Sequence, residues 1–266
     1  MVLKVLDVLH NSQNVNIHNL QFTRKDSFMG LFFFANYIYL IVIFYMKKIF
    51  NLLSVILLIL PSLLFINNNS VVNSISSNVI FIDPGHGGKD NGTSYEDVLE
   101  DELNLKISTM LYEMILDDGG ICYLTRNNDY DLSYAYSKNH KLDDLNKRIK
   151  YIDSFNTSLF VSIHLNYYPN DSVNGIQVFY QKHNENSKSL ANVLQETLNS
   201  INNKNKKCKV GNYYLLDNSK TTGVIIECGF LSNPQDRKKL LDDNYLKTLA
   251  KLIKKGINEY LLINNK

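Results

Sequence analysis

The chain has 266 residues, of which 45% are hydrophobic and 20% charged, and carries a formal net charge of +2. That length allows one domain of ordinary size plus extra segments. The near-neutral balance excludes a nucleic-acid footprint or a polyanion surface. Cys122, Cys208 and Cys228 form no CxxC pair and no even disulfide framework; Cys122 and Cys228 lie in apolar runs and read as small buried hydrophobes.

Residues 29–45, MGLFFFANYIYLIVIFY, are almost wholly apolar, and after Met46-Lys47-Lys48 a second apolar run extends from Phe50 to Ile66. Each run is near the lower limit for a bilayer-spanning helix. A membrane hairpin would place Lys47 and Lys48 on the outer side, against the preference of basic residues for the cytoplasmic face. Read from Met46, the same residues form a basic n-region and an apolar h-region, the pattern of an export signal. The expectation is therefore that residues 1–45 are an upstream extension foreign to the native protein or an extra hydrophobic segment, and that 46–66 are a signal peptide or a membrane anchor. No clear A-x-A site follows, so removal and retention both stay open. Either way the remainder is expected outside the cytoplasm, attached to the membrane if the segment is uncleaved. Residues 67–78, NNNSVVNSISSN, are a polar tether.

The folded part is expected over residues 79–262. It opens on VIFIDPGHGG, where four apolar residues form a buried strand that Asp83-Pro84-Gly85 stops abruptly. His86 is left on a turn between Gly85 and Gly87-Gly88, where small neighbours allow a partner to approach the backbone closely. A loop over 89–95 precedes a helix, with Glu96, Asp97, Glu100, Asp101 and Glu102 at its N-terminus. Leu103, Ile107, Leu111, Met114 and Ile115 supply one apolar face. Further strands are expected at Ile121–Thr125, Leu159–His164, Gly175–Gln181, Tyr213–Leu216 and Val224–Glu227. Helices are expected at Leu142–Phe155, Ser187–Ile201, Pro234–Leu241 and Tyr245–Leu262. A tyrosine-rich loop covers 127–141 and a basic loop 202–211. Strands alternating with amphipathic helices predict an α/β fold: a single domain with a mostly parallel or mixed twisted sheet of about six strands and helices on both faces.

His86, His164 and Glu227 all stand at ends of predicted strands, and the carboxyl ends of parallel strands share one edge, so the three can converge. Glu100 and Glu102 open the helix that follows that edge. Two histidines and one carboxylate form the usual ligand set of a hydrolytic zinc site that keeps one position open. The remaining carboxylate then serves as general base. Taken singly, each histidine reads as a structural residue and each glutamate as a solvated cap; taken together, they favour a metal.

IDPGHGG, EDELNL at 100–105, Thr125-Arg126, SIHLN at 162–166 and IECGFLSN at 226–233 follow one another in this order. The series resembles the zinc-dependent N-acetylmuramoyl-L-alanine amidases of the amidase-3 type, and covers roughly residues 79–262. Within that family the chain is most similar to the germination-specific, CwlD-type amidases of spore formers. The resemblance implies hydrolysis of the amide between N-acetylmuramic acid and L-alanine in peptidoglycan. It implies one Zn2+ per chain, with His86, Glu100 and His164 as ligands and Glu227 as the catalytic carboxylate. Where the family has lysine and aspartate after the ligand, this chain has Asp101 and Glu102; Asn104 and Leu105 keep register only with Glu100. Little room remains after SIHLN for the regulatory helix of some relatives, and no wall-binding repeats are present in the sequence. The implied partners are glycan strands with stem peptides and an accessory protein needed for activity, and the implied location is the spore intermembrane space or cortex. Arg126 reads as a structural ion-pair residue, with an oxyanion role as the alternative. Tyr130, Tyr134, Tyr136, Tyr167 and Tyr168 read either as stacking surfaces for sugar or peptide or as loop packing.

Overall fold

The computed structural model describes residues 38–51, 78–202 and 204–264. The chain separates into two units, Met1–Phe65 and Ile66–Lys266. In the first, residues 38–51 form one helix that runs through Met46, Lys47 and Lys48 without a break. No helix among the described residues is long and apolar enough to cross a membrane. Most of the expected export segment, 46–66, and all of the linker except Asn78 lie outside the described residues.

The second unit is built on a sheet whose strands lie in the order β4-β1-β5-β8-β6-β7. These are β1 (Val79–Pro84), β4 (Ile121–Leu124), β5 (Leu159–Asn166), β6 (Gln177–Tyr180), β7 (Lys209–Val210) and β8 (Gly223–Phe230). β4, β1, β5 and β8 are mutually parallel, β6 runs antiparallel to β8, and β7 is parallel to β6. A small hairpin of β2 (Ser94–Tyr95) and β3 (Val98–Leu99) stands apart from this sheet. Glu96 and Asp97 turn that hairpin instead of opening a helix, and Glu96 sits at φ 54°. The first helix of the unit, α1 (Glu100–Asp117), starts where the hairpin ends.

The two faces of the sheet are divided by the two-residue period of the strands. Ile80, Ile82, Val161, Ile163, Val224 and Ile226 meet α1, α3 (Glu185–Asn199) and α6 (Asp243–Asn264) in the larger core. Phe81, Phe160 and Ile225 point the other way, onto Ile152 of α2 (His140–Ser154) and onto Leu215 and Leu216. The short helix α5 (Pro234–Leu240) follows β8, with Pro234 at its first turn and Asn233 accepting from the Gln235 and Asp236 amides.

One expected strand is corrected. Tyr213–Leu216 does not join the sheet; Tyr214–Asn218 forms helix α4, closed by Asp217 N to Tyr213 O at 3.0 Å. Both flanks of β8 are already occupied, by β5 and by β6, so an apolar run arriving beside it has no free edge. It buries Leu215 and Leu216 against the sheet face as a helical turn instead. The sixth strand comes from the basic loop, as β7 at the sheet edge.

Candidate metal centre

The strand-to-loop turn after β1 is held from beneath by two arginines. Arg148, on α2, is buried and donates from Nη1 to Asp83 Oδ1 at 2.8 Å and to Pro84 O at 2.7 Å. Its Nη2 reaches His86 O at 2.6 Å and its Nε reaches Asp144 Oδ2 at 2.8 Å. Asp83 also accepts from Thr125 Oγ1 and Ser162 Oγ, each at 2.6 Å. Although burial disfavours its charge, Arg148 and these hydroxyls hold the Asp83 carboxyl down at about 2.

Arg126 completes the support, donating to the carbonyls of Pro84, Gly85, Asp101 and Asn128 at 2.8–3.1 Å. It is therefore a clamp on backbone. It makes no ion pair among the described residues, and its guanidinium is spent on carbonyls, which corrects both readings of it from sequence. The clamped turn carries His86 at φ 61°, a conformation that costs an L-residue about 1–2 kcal/mol.

Glu100, the first residue of α1, stands between the two histidines. Its Oε1 lies 3.3 Å from His86 Nε2 and 3.0 Å from His164 Nδ1. The same oxygen accepts from Leu165 N at 3.0 Å and Asn104 Nδ2 at 3.3 Å, while Oε2 accepts from Thr93 N at 2.7 Å. Burial alone would raise the Glu100 carboxyl, but His164 and His86 outweigh it and hold it well below the ordinary carboxylate range. Burial works against charge on His86 too, yet its hydrogen bonds to Asp90 and Glu100 raise its pKa to about 9. His86 Nδ1 meets Asp90 Oδ2 at 3.0 Å, which fixes the ring from its other side. Glu102 is exposed, because residues two apart on a helix point roughly 200° from each other.

Ligand atoms of His86, Glu100 and His164 all lie within 4.8 Å of one another, the spacing of groups that can share one cation. Their surroundings fit such an ion. A Cβ on Gly85 would stand 2.2 Å from His164 Cε1, and one on Gly92 would stand 2.5 Å from Glu100 Oε2. Both glycines are thus needed for the donors to reach their places.

Glu227 is in direct sheet register with His164, on the neighbouring strand. Its Oε1 accepts from Tyr213 OH at 3.0 Å, while its buried Oε2 has no hydrogen-bond partner. Burial, reinforced by the Glu100 charge and opposed by His164, pushes its pKa up to about 7. A carboxyl with one oxygen anchored and the other bare is arranged to exchange a proton near neutral pH.

These groups line a cavity of about 340 Å3 together with Leu145, Tyr214 and Ile225. None of the five tyrosines singled out in the sequence lines it, whereas Tyr213 and Tyr214 do. Tyr134 lies beneath Lys147 Nζ, 2.9 Å from its ring centre, and Tyr130 OH bonds Asn127. Asp83, Arg148, Asp90 and Tyr213 were not assigned from sequence. The one available signal was the charge of Asp83 at the end of an otherwise apolar strand.

A family profile described as N-acetylmuramoyl-L-alanine amidase, Amidase_3, matches residues 80–259. The germination-specific N-acetylmuramoyl-L-alanine amidase of Bacillus subtilis is 34% identical over 214 residues, covering 77% of this chain and 90% of that protein. The amidase LytC of the same organism is 31% identical over 195 residues, covering 72% of this chain and 37% of LytC. Among solved structures, the CwlD amidase of Clostridioides difficile in complex with the GerS lipoprotein superposes with a TM-score of 0.68 at 35% identity. That match covers 70% of this chain and all of the other. The catalytic domain of CwlV from Paenibacillus polymyxa gives a TM-score of 0.62 at 28% identity, covering 69% and 98%.

Proposed function

From the premise that this chain belongs to the Amidase_3 family of N-acetylmuramoyl-L-alanine amidases, we propose that it opens the amide between N-acetylmuramic acid and L-alanine with one zinc ion held by His86, Glu100 and His164, and that its substrate is spore-cortex peptidoglycan. The amidase class itself rests on the family match and on the named relatives. The observation that supports the residue roles is the pairing of a convergent His86–Glu100–His164 group with a buried carboxylate, Glu227, that has one free oxygen. The donor set is that of hydrolytic zinc sites with an open position. A zinc ion there supplies a more acidic water and a polarised amide carbonyl.

The chain's own residues do the rest. Glu227 Oε2 takes the proton of the attacking water and returns it to the departing alanine nitrogen. Tyr213 OH holds Oε1 and leaves Oε2 without a hydrogen-bond partner. Arg148 and Arg126 fix the carbonyls around His86, which keeps that imidazole aimed at Glu100 before substrate arrives.

The cortex assignment is supported by the germination-specific relative, aligned over 90% of its length. It carries an extracytoplasmic location with it, with residues 79–262 as the catalytic domain and 46–66 as the export or anchor segment. An accessory protein fits as well, since the similar CwlD amidase was solved in complex with a lipoprotein. The similarity to LytC supports a second reading, an amidase of the vegetative wall. Muropeptide analysis of a deletion strain separates the two. Spores whose cortex lacks muramic δ-lactam, which can close only on muramic acid freed of its peptide, from a strain that divides normally, are the expected result. Unseparated chains of vegetative cells with normal δ-lactam in the spores would overturn the cortex assignment and leave the amidase class standing.

A further inference from the structure

A second cavity, of about 590 Å3, opens beside the metal pocket. Phe179 and Phe230 line it together with Lys204, Lys206, Lys207 and Lys209, and none of its lining residues is acidic. The metal pocket is richer in carboxylates: Asp83, Asp90, Glu100, Asp144 and Glu227 line it, beside Lys141 and Arg148. Lys206 is part of a built wall. Its Nζ donates to Asn174 O at 2.5 Å and Gly175 O at 2.7 Å and lies 5.3 Å from the centre of the Phe230 ring. Lys204, Lys207 and Lys209 are exposed and make no ion pair among the described residues.

The two cavities share a wall. The Phe179 ring packs edge-on against Tyr213 at 5.3 Å, and Tyr213 in turn holds Glu227. Sheet register sets the separation: Glu227 faces Gln177 on β6, and Phe179, two residues on, faces Lys209 on β7. Two strand spacings across and two residues along the strand amount to roughly 12 Å, the span of about three to four extended residues. A stem peptide joined to the sugar through its amino end carries its carboxyl terminus away from the scissile amide. Extended from Glu227 across the Phe179 wall, a peptide of that length brings its carboxylates among these lysines.

We propose that this lysine-lined cavity is a subsite for the carboxylates of the stem peptide, and that Lys204, Lys207 and Lys209 determine preference for the acidic over the amidated form. The proposal rests on the amidase reading. Three exposed charge contacts of ordinary strength amount to about a tenfold effect. The full chain is tested on an N-acetylmuramyl peptide with free carboxylates and on the same compound with those groups converted to carboxamides. The native protein is expected to favour the acid about tenfold in kcat/KM, through KM, and to lose that preference as salt rises. Lys204→Gln/Lys207→Gln/Lys209→Gln should bring the two substrates within about threefold of each other, and the corresponding Lys→Arg triple should restore the difference. A native protein that does not discriminate, or a Gln triple that still does, overturns the subsite. Equilibrium binding of the free acidic peptide, which needs no turnover, separates the two ideas. If neither substrate is hydrolysed while the peptide binds the native protein and not the Gln triple, the subsite stands and the amidase reading falls.

Discussion

Replacing Gly85 by alanine should cost the protein its metal while leaving its fold nearly intact. A Cβ at this position would stand 2.2 Å from His164 Cε1, 2.4 Å from Nε2 and 2.7 Å from Nδ1. Ordinary van der Waals contact needs at least 3.4 Å, so the imidazole must retreat by roughly 1 Å. Metal donors tolerate about 0.2 Å of displacement and functional groups about 0.5 Å. The ring therefore leaves the group it forms with His86 and Glu100, and zinc affinity should fall by about 10–100-fold, as when an orienting partner is lost. Stability should change little. Overpacking costs about 1–3 kcal/mol, and removing a glycine from the unfolded chain returns about 0.4–1 kcal/mol. Zinc titration against a competing chelator, with a thermal melt of the same sample, reads both quantities. A Gly85→Ala protein that binds one zinc with native affinity would refute the placement of His164 in the site.

Glu227→Gln should retain one zinc per chain and lose turnover by ~10²–10⁴; loss of the metal would show that Glu227 is a ligand. Glu100→Ala should release zinc, whereas the exposed Glu102→Ala should behave as a surface change; metal analysis of the two proteins decides. Asp83 is held at about 2 against an ordinary value of 3.8, so its charge contributes stability above about pH 4 that is lost as pH falls from 4 towards 2. The contribution is about 2 kcal/mol. Urea midpoints of native and Asp83→Asn protein should therefore converge across that window, and a constant gap would contradict the assignment. Arg126→Lys should destabilise almost as much as Arg126→Ala, since a lysine cannot replace a fork that serves four carbonyls; paired melts read this directly.

The main strands were legible as short apolar runs, the first stopped by Asp-Pro-Gly, although β5 and β8 run on past His164 and Glu227 to Asn166 and Phe230. Their order in the chain also brings His86 and His164 to one sheet edge. Register within its motif preferred Glu100 to Glu102, and the structure sets Glu100 beside the two histidines with Glu102 exposed. Two kinds of feature escaped. The first is local: Tyr213–Leu216 has the composition of a strand, and only the occupied edges of β8 make it helical. The second is long-range: Arg148 meets Asp83 across 65 positions and Tyr213 meets Glu227 across 14, and no periodicity encodes either pair. Arg126 was misread for a related reason. Its sequence shows its charge but not that the carbonyls of a turn, not a carboxylate, would receive it.

The two guanidiniums beneath the turn after β1 bear on whether the fold depends on a metal. Between them they bind Asp83, Asp144 and the carbonyls of Pro84, Gly85, His86, Asp101 and Asn128. The left-handed turn is thus paid for by protein groups alone. In small zinc domains the ion is the keystone, and apo chains are unfolded. Here the contacts that hold the turn are made by the protein's own groups, so the fold is expected to form without an ion. Removal of a bound metal by a chelator should then leave the thermal midpoint nearly unchanged.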